Sequence, residues 1–258
     1  AWADEDFDLD QWISDYLIRR YGGQSDNAEQ AWELIKNANY DSGVRLTPEL
    51  FGLRTGGVPK NIGKKDIGYD AEDLENALRL LLEDFDRFSG SEGYQYDLSE
   101  IMRQICSNYT VLKYHEVIDA RDAKDLEAFR QAKEEFLNAF DVLNEVQKTR
   151  QNQLAGEWIG KAQDRAAEYD DFSKSTFEMN AKSLITTWGS SGGSLVDYGF
   201  RTYEGMFLDL IKSNWTEYLD QVEQNLIDGT AIDVPSNTRG YIEKYWKWVI
   251  GDQDYTRD

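Results

Sequence analysis

The sequence predicts an all-α protein, an irregular bundle of about eight to ten helices with no significant β-sheet. Apolar residues recur at spacings of three and four along most of the chain, which is the period of an amphipathic helix. Acidic residues precede several of these runs and glycines follow several of them, as expected at helix ends. Only three prolines interrupt the 258 residues. We therefore expect one helical domain over residues 1–250 and a tail at residues 251–258.

The N-terminal part is predicted to contain four helices, with apolar stripes within residues 9–17, 26–39, 74–88 and 98–112. Asp70 is expected to cap the third helix, and Asp97 with Glu100 forms a capping-box pattern that predicts the start of the fourth. Aspartates at positions 4, 6, 8 and 10 resemble a calcium loop but lack its glycine and its final glutamate. We interpret them as acidic residues before the first helix. Residues 41–69 contain six glycines and no helical period, which predicts a long irregular segment.

The C-terminal part is predicted to contain helices over the apolar runs 126–143, 154–166, 172–185, 198–222 and 241–249. The first of these is expected to pack antiparallel to the long helix before it, because only a short break near Asp122 to Asp125 separates the two. The run 198–222 is long enough for one helix or two. A turn is predicted from Gly229 to Pro235.

A glycine- and serine-rich hinge, residues 189–194, interrupts the helical pattern between two runs rich in aromatic residues. Glycine allows the backbone to approach a ligand closely. Trp188 and Tyr198 flank this hinge, and aromatic faces suit the apolar C–H face of a sugar ring, while the Tyr198 hydroxyl and Asp197 could bind its hydroxyl groups. The alternative interpretation is structural, because a tryptophan before a glycine-rich connection also packs in a core beside a helix C-cap.

The charge and the cysteine and histidine counts exclude several classes of function. A net charge of -21 and a pI near 4.4 argue against nucleic acid and anionic membranes as partners, since both are polyanions. No apolar run approaches the roughly 18 residues of a membrane span. Cys106 and His115 are the only residues of their types, so a disulfide within the chain and a multi-histidine metal site are excluded. We expect no metal, no cofactor and an inert Cys106 in the core.

Several segments, taken in order, resemble the C-terminal helical domain of the α-N-acetylglucosaminidases, glycoside hydrolase family 89. The resemblance covers most of the chain, and its most specific part is the pair of segments around the hinge. The matching segments are QWISDYLIRRYG at 11–22, YDLSEIMRQI at 96–105, KDLEAF at 124–129, the L-x-G-x-W of 154–158, NAKSLITTWG at 180–189 and DYGFRTYEG at 197–205. The sequence departs from the family pattern at Lys182, where arginine is usual, and at Phe200, where asparagine is common.

The resemblance implies a function and a set of site residues. In this family a (β/α)8 barrel supplies two glutamates that remove terminal α-linked N-acetylglucosamine with retention, and the helical domain closes one side of the pocket. It implies that Trp188, Leu195 and Tyr198 face the sugar. Support of the loop is implied for Asn180, Asp197, Arg201, Tyr203 and Gly205. The implied partners are an upstream barrel of the same polypeptide, which would hold both catalytic glutamates, and a glycan that ends in α-N-acetylglucosamine. This chain alone is then expected to be inactive.

Two other hypotheses remain open. The chain could be a free-standing helical domain that binds glycans or proteins through the hinge. It could also be an independent enzyme with a carboxylate pair drawn from Glu178, Asp197 and Glu204, although 49 acidic residues place neighbouring carboxylates throughout the chain. The single cysteine and the acidic composition favour a secreted or cell-surface bacterial protein over a lysosomal one. If the acidic surface extends to the rim of the pocket, it would repel sulfated glycans, and neutral glycans would be preferred.

Overall fold

A computed structural model describes residues 7–38, 69–189, 201–230 and 238–258. Within these residues it contains ten α-helices, and the β structure there is limited to one isolated parallel bridge between Leu154 and Glu204. The all-α prediction is confirmed. The helices are α1 Leu9–Tyr21, α2 Asp26–Lys36, α3 Ala71–Glu83, α4 Phe85–Phe88, α5 Glu92–Ala123, α6 Leu126–Lys148, α7 Ala155–Arg165, α8 Asp171–Leu184, α9 Ser213–Asp228 and α10 Thr238–Val249. A 3-10 turn at Gln151–Gln153 precedes α7, and a π-helix at Phe207–Lys212 leads into α9.

The described residues group into two compact units, and the boundary between them falls inside α5. The first unit contains residues 7–38 and 69–108, where α2 packs against α1 and α3. The second contains the described residues from 109 onward, where α6 packs against α9, and α8 packs against α7 and α10. The expectation of one domain over residues 1–250 stays a prediction.

Several helix ends follow the local signals of the sequence. Asp8 and Asp70 accept hydrogen bonds from the backbone N–H groups of Gln11 and Glu72, both at 3.0 Å, as N-caps of α1 and α3. Gly22 and Gly229 follow α1 and α9 with φ of 92° and 63°, the left-handed conformation that ends many helices. These ends are therefore determined by residues close in sequence.

The predicted start of α5 at Asp97 is wrong. The helix begins at Glu92, and Asp97 lies inside it with only 9% of its surface exposed. Its carboxylate accepts hydrogen bonds from Arg20 at 2.7 and 2.6 Å and from the Tyr21 hydroxyl at 2.9 Å. The Tyr21 hydroxyl also accepts a hydrogen bond from Trp32 at 2.9 Å. Asp97 therefore serves a contact between helices within the first unit, which a local capping pattern does not reveal.

The predicted antiparallel packing of α5 and α6 is confirmed. Lys124 has a φ of 57°, and Asp125 caps α6 by accepting a hydrogen bond from the N–H group of Ala128. The rings of Tyr114 and Phe136 lie 5.6 Å apart, and these residues are equally far along the chain from Asp125. Contacts at equal distances from a turn are those of an antiparallel pair.

The inward face of α5 differs from the prediction in the second unit. Tyr109 and Leu112, which the apolar period places on the inward face, are exposed. Tyr114 is buried instead, because its ring packs against Phe136 and against Trp215 of α9 at 5.1 Å. The apolar period of the sequence predicted one face of the helix, and packing against Phe136 and Trp215 buries another.

Candidate functional site

The candidate site begins at Trp188, four residues after the end of α8. Trp188 is 42% exposed and has a φ of 53°. A positive φ is uncommon for residues other than glycine and costs roughly 1–2 kcal/mol. Hydrogen bonds among neighbouring residues must hold the backbone in this conformation. We call residues 183–189, which form these hydrogen bonds, the Trp188 turn.

Ser183 supplies most of these interactions. Its carbonyl oxygen accepts a hydrogen bond from the N–H group of Trp188 at 2.7 Å. Its hydroxyl accepts from the N–H group of Gly189 and donates to the carbonyl oxygen of Gly189, both at 2.9 Å. The Thr187 hydroxyl donates to the same carbonyl oxygen at 3.0 Å. The turn is thus closed by hydrogen bonds among residues that lie within six positions of one another.

A buried polar layer lies beneath the Trp188 turn. Lys182 and Thr187 have no exposed surface, and Thr186 is almost as deeply buried. The Thr186 hydroxyl donates a hydrogen bond to the carbonyl oxygen of Lys182 at 2.7 Å. The Lys182 ammonium contacts a carboxylate oxygen of Glu178 at 2.6 Å and donates a hydrogen bond to the carbonyl oxygen of Gly251 at 2.6 Å. Such pairing is required, since a buried unpaired charge is very costly.

Tyr203 and Gly205 form the other flank of the hinge. The buried Tyr203 ring packs against Trp158 of α7 at 5.8 Å, and burial raises the pKa of its hydroxyl. The Trp158 indole donates a hydrogen bond to the carbonyl oxygen of Ala181 in α8 at 2.8 Å. Gly205 has a φ of 80°, and its N–H group donates to the side chain of Asn144 at 3.0 Å. Trp158 therefore contacts residues from both flanks of the hinge.

Of the carboxylates considered as a catalytic pair, Glu178 is held in an ion pair, whereas the bond that positions Glu204 is made by its backbone. Burial opposes ionisation of Glu178, but hydrogen bonds from Lys182 and Gln163 outweigh it and lower the pKa of this carboxyl group. Glu204 bridges to the turn before α7, since its N–H group donates to the carbonyl oxygen of Gln153 at 2.8 Å. Burial raises the pKa of the Glu204 carboxyl group.

The structure describes five of the eight predicted site residues. Trp188 lies on one flank of the hinge with an exposed ring, and Tyr203 and Gly205 are packed on the other. Asn180 lies on the exposed side of α8, and Arg201 is exposed. Leu195, Asp197 and Tyr198 lie outside the described residues, as do Asp4, Asp6 and residues 41–68. The assignment of Trp188, Leu195 and Tyr198 to a sugar site stays a prediction.

Sequence reasoning did not identify Lys182 and Ser183 as support for the site. One signal was available for Lys182, because a glutamate four residues before a lysine is typical of an ion pair on a helix. That spacing is common on exposed helix surfaces and carries no information about burial. Nothing local indicates that the lysine also contacts Gly251.

Metal sites and membrane-spanning helices are not found in the part of the chain that the structure describes. No group of three or more histidine, cysteine, aspartate or glutamate residues there could hold a metal ion. No helix among the described residues is long and apolar enough to cross a membrane. Cys106 is buried, which raises the pKa of its thiol to about 11 and disfavours the reactive thiolate.

A family model described as "Alpha-N-acetylglucosaminidase (NAGLU) C-terminal domain" matches residues 12–258. The α-N-acetylglucosaminidase of Homo sapiens is 27% identical in an alignment 258 positions long, which covers 96% of this chain and 33% of the human protein. The chain thus spans about a third of the length of that relative.

Solved structures of a Clostridium perfringens family 89 glycoside hydrolase are similar over the whole chain. The complex with 2-acetamido-1,2-dideoxynojirmycin has a TM-score of 0.88 at 28% identity. The complex with the substrate GlcNAc-alpha-1,4-galactose has a TM-score of 0.87 at 26% identity. In both comparisons the similarity covers 100% of this chain and 30% of the other.

Proposed function

Because this chain belongs to the family of α-N-acetylglucosaminidase C-terminal domains of glycoside hydrolase family 89, we propose that it forms one wall of the active-site pocket of a retaining exo-α-N-acetylglucosaminidase. The proposed reaction is hydrolysis of terminal α-linked N-acetylglucosamine from glycans. The observation that carries the proposal is the partly exposed Trp188, held in a left-handed conformation at the hinge. The related Clostridium perfringens enzyme binds GlcNAc-alpha-1,4-galactose, which supports the substrate class.

Trp188 has the properties of a sugar-binding platform. Its backbone conformation is unfavourable, and residues held in such conformations are concentrated at binding sites and active sites. More than half of the residue is buried, so the orientation of the ring is restricted before a ligand binds. A ring that is already ordered loses little conformational entropy when a sugar stacks on it. Tyr198 and Leu195 would complete the wall.

We propose that the catalytic residues lie in the preceding part of the polypeptide. A retaining glycosidase needs two carboxyl groups about 5 Å apart across the anomeric carbon. Glu178 in this chain forms an ion pair with Lys182. Glu204 is buried, and its backbone forms a bridge with Leu154. We therefore assign both glutamates of the reaction to the barrel. This chain would orient the sugar and exclude water.

Exposed apolar side chains of α8, the helix that precedes Trp188, support the barrel as partner. Phe172, Phe177 and Leu184 of α8 are all exposed, and Phe172 is 81% exposed. Phe177 and Leu184 lie seven residues apart and therefore share a face of the helix. Exposed apolar side chains along a helix are typical of a surface that another domain covers. We propose that the catalytic barrel of the same polypeptide covers it.

The test compares two tryptophans of similar exposure in the full-length protein, with release of N-acetylglucosamine from an aryl α-N-acetylglucosaminide as the measurement. We expect Trp188→Ala to lower kcat/KM by about tenfold or more, because it removes a contact to the sugar. Trp12 of α1 is 47% exposed, and Trp12→Ala should change kcat/KM by less than about twofold. Unchanged activity of Trp188→Ala would contradict the proposal.

The chain on its own provides the second part of the test. We expect it to release no N-acetylglucosamine alone and to support release when the separately expressed barrel is added. Hydrolysis by the chain alone would instead indicate a carboxylate pair within it. Binding of glycans by the chain alone, with no effect of Trp188→Ala on the full-length protein, would favour a free-standing glycan-binding domain.

A further inference from the structure

The C-terminal segment, residues 251–258, is packed against the helices of the second unit. A Cβ atom at Gly156 in α7 would overlap the carbonyl oxygens of Tyr255 and Thr256. A Cβ atom at Gly205 would lie 2.5 Å from the Tyr255 ring. The absence of a side chain at both glycines is therefore required for the segment to lie where it does.

Polar contacts fix the same segment. The indole of Trp248 in α10 donates a hydrogen bond to the Tyr255 hydroxyl at 2.7 Å, and this hydroxyl donates to Asp209. Arg257 donates two hydrogen bonds to Asp164 of α7, at 3.1 and 2.6 Å. The segment is thus attached to α7, to α10 and to the π-helix that precedes α9.

Lys182 connects the C-terminal segment to α8. Its side chain is fully buried, and its ammonium donates hydrogen bonds to the carbonyl oxygen of Gly251 at 2.6 Å and to the Gln253 side chain at 3.3 Å. It also lies 5.6 Å from the centre of the Trp248 ring. Glu178 on the same helix is the counter-ion of Lys182, and the two neutral acceptors in the segment complete the hydrogen bonding of its buried ammonium group.

The same lysine is adjacent to the Trp188 turn. Its carbonyl oxygen accepts the hydrogen bond from Thr186, and the next residue, Ser183, binds Trp188 and Gly189. A shift of Lys182 therefore moves the residue that holds the turn. Tyr255, at the other end of the segment, lies against Gly205 on the opposite flank of the hinge.

We propose that Lys182 is a positioning residue, which, anchored by the C-terminal segment, holds the Trp188 turn in the geometry that presents the indole ring to substrate. The meaning of this geometry for catalysis rests on the function proposed above. The structural connection from the C-terminal segment through Lys182 to the Trp188 turn is independent of that function, because every contact in it lies within this chain. No residue of the reaction is involved, and Lys182 acts only through Ser183 and Trp188.

The test is amide hydrogen exchange of the 258-residue chain without substrate. We expect Lys182→Met to speed exchange of the Trp188 and Gly189 amides roughly tenfold or more, while the amides of α6 change little. Lys182→Arg keeps the charge and the donors and should restore slow exchange. Lys133 of α6 serves as a matched control, because it is 14% exposed and ion-paired with Glu223 of α9 at 2.8 Å. Lys133→Met should leave the turn amides unchanged.

The contribution of the C-terminal segment is tested by Gly156→Ala, which displaces the segment without altering α8. It should reproduce the fast exchange of the Trp188 and Gly189 amides. In the double variant with Lys182→Met, Gly156→Ala should increase the exchange rate of these amides little further, because both substitutions break the same connection between the segment and the turn. If Gly156→Ala does not fold, deletion of residues 253–258 removes Gln253 and Tyr255 and leaves the Gly251 peptide intact.

The inference is overturned if Lys182→Met affects the turn amides no more than Lys133→Met does, or if its effect and that of Gly156→Ala are fully additive. Failure of the proposed function gives a different result. In that case the exchange pattern is as expected, but Trp188→Ala leaves hydrolysis by the full-length protein unchanged.

Discussion

The ammonium group of Lys182 lies 2.6 Å from the carbonyl oxygen of Gly251, so a fully buried charge in α8 is bonded to a peptide group 69 residues further along the chain. Gly251 begins the C-terminal segment, which also contacts Gly205 through Tyr255. Both flanks of the hinge therefore depend on residues at the end of the domain. This relationship explains how a chain with an unfavourable backbone conformation at Trp188 can keep it.

Ser183→Ala is expected to loosen the Trp188 turn. It removes a hydroxyl that both accepts from and donates to Gly189, at a cost of about 1–2 kcal/mol in the free energy of unfolding. Urea denaturation measures this cost. The control is Ser175→Ala. The Ser175 hydroxyl is exposed and donates a hydrogen bond to the carbonyl oxygen of Phe172 in the preceding turn of α8, so its removal should lower the free energy of unfolding by less than about 0.5 kcal/mol. Equal losses for the two variants would contradict the role of Ser183.

Gly205→Ala should be more destabilising than Gly229→Ala. Both glycines have positive φ, 80° and 63°, so both substitutions cost roughly 1 kcal/mol in backbone strain. At Gly229 nothing lies within 4 Å of the added methyl group, whereas at Gly205 the methyl group would meet the Tyr255 ring. We expect an additional loss of about 1–3 kcal/mol at Gly205. Thermal unfolding of the two variants provides the comparison, and equal losses would mean that the segment is not held against Gly205.

Glu204→Gln should stabilise the chain at neutral pH. Burial raises the pKa of the Glu204 carboxyl group in spite of Asn144 and Lys148, so the unfolded chain releases this proton at lower pH than the folded one. The free energy of unfolding contributed by Glu204 therefore falls as the pH rises through the raised pKa. The glutamine variant lacks this loss and should be the more stable of the two near pH 7.

The difference between Glu204→Gln and the wild type should shrink below the usual pKa of glutamate, where both side chains are neutral. Urea denaturation of both proteins at about pH 7 and about pH 4 measures it. A difference that is constant over this range would show that the charge of Glu204 is not its cause.

Asp97→Asn should destabilise the first unit by about 3 kcal/mol, because it leaves Arg20 without its counter-ion in a largely buried position. Asp70 caps α3 in an exposed position, and Asp70→Asn should change stability by less than about 0.5 kcal/mol since asparagine is an equally good cap. Chemical denaturation with amide exchange of α1 and α5 checks both. If Asp97→Asn were as mild as Asp70→Asn, the ion pair would contribute nothing.

The candidate site was partly accessible from the sequence. Trp188 could be singled out because an aromatic residue beside a run of glycines and serines is a local pattern, and the structure places it at an exposed turn. Its contact with a sugar remains a prediction. Lys182 could not be recognised as support, since its partner Gly251 lies on another element and the spacing to Glu178 is equally typical of an exposed helix.

The sequence by itself determined the fold class and several helix ends, including the cap at Asp70 and the glycine that ends α1. These depend on the period of apolar residues and on bonds between residues a few positions apart. Only the tertiary structure decided that Asp97 pairs with Arg20, that Lys182 is buried, and that Thr256 lies against Gly156. The physical reason is that such contacts join residues far apart in the chain, and their existence depends on how the helices pack rather than on any local pattern.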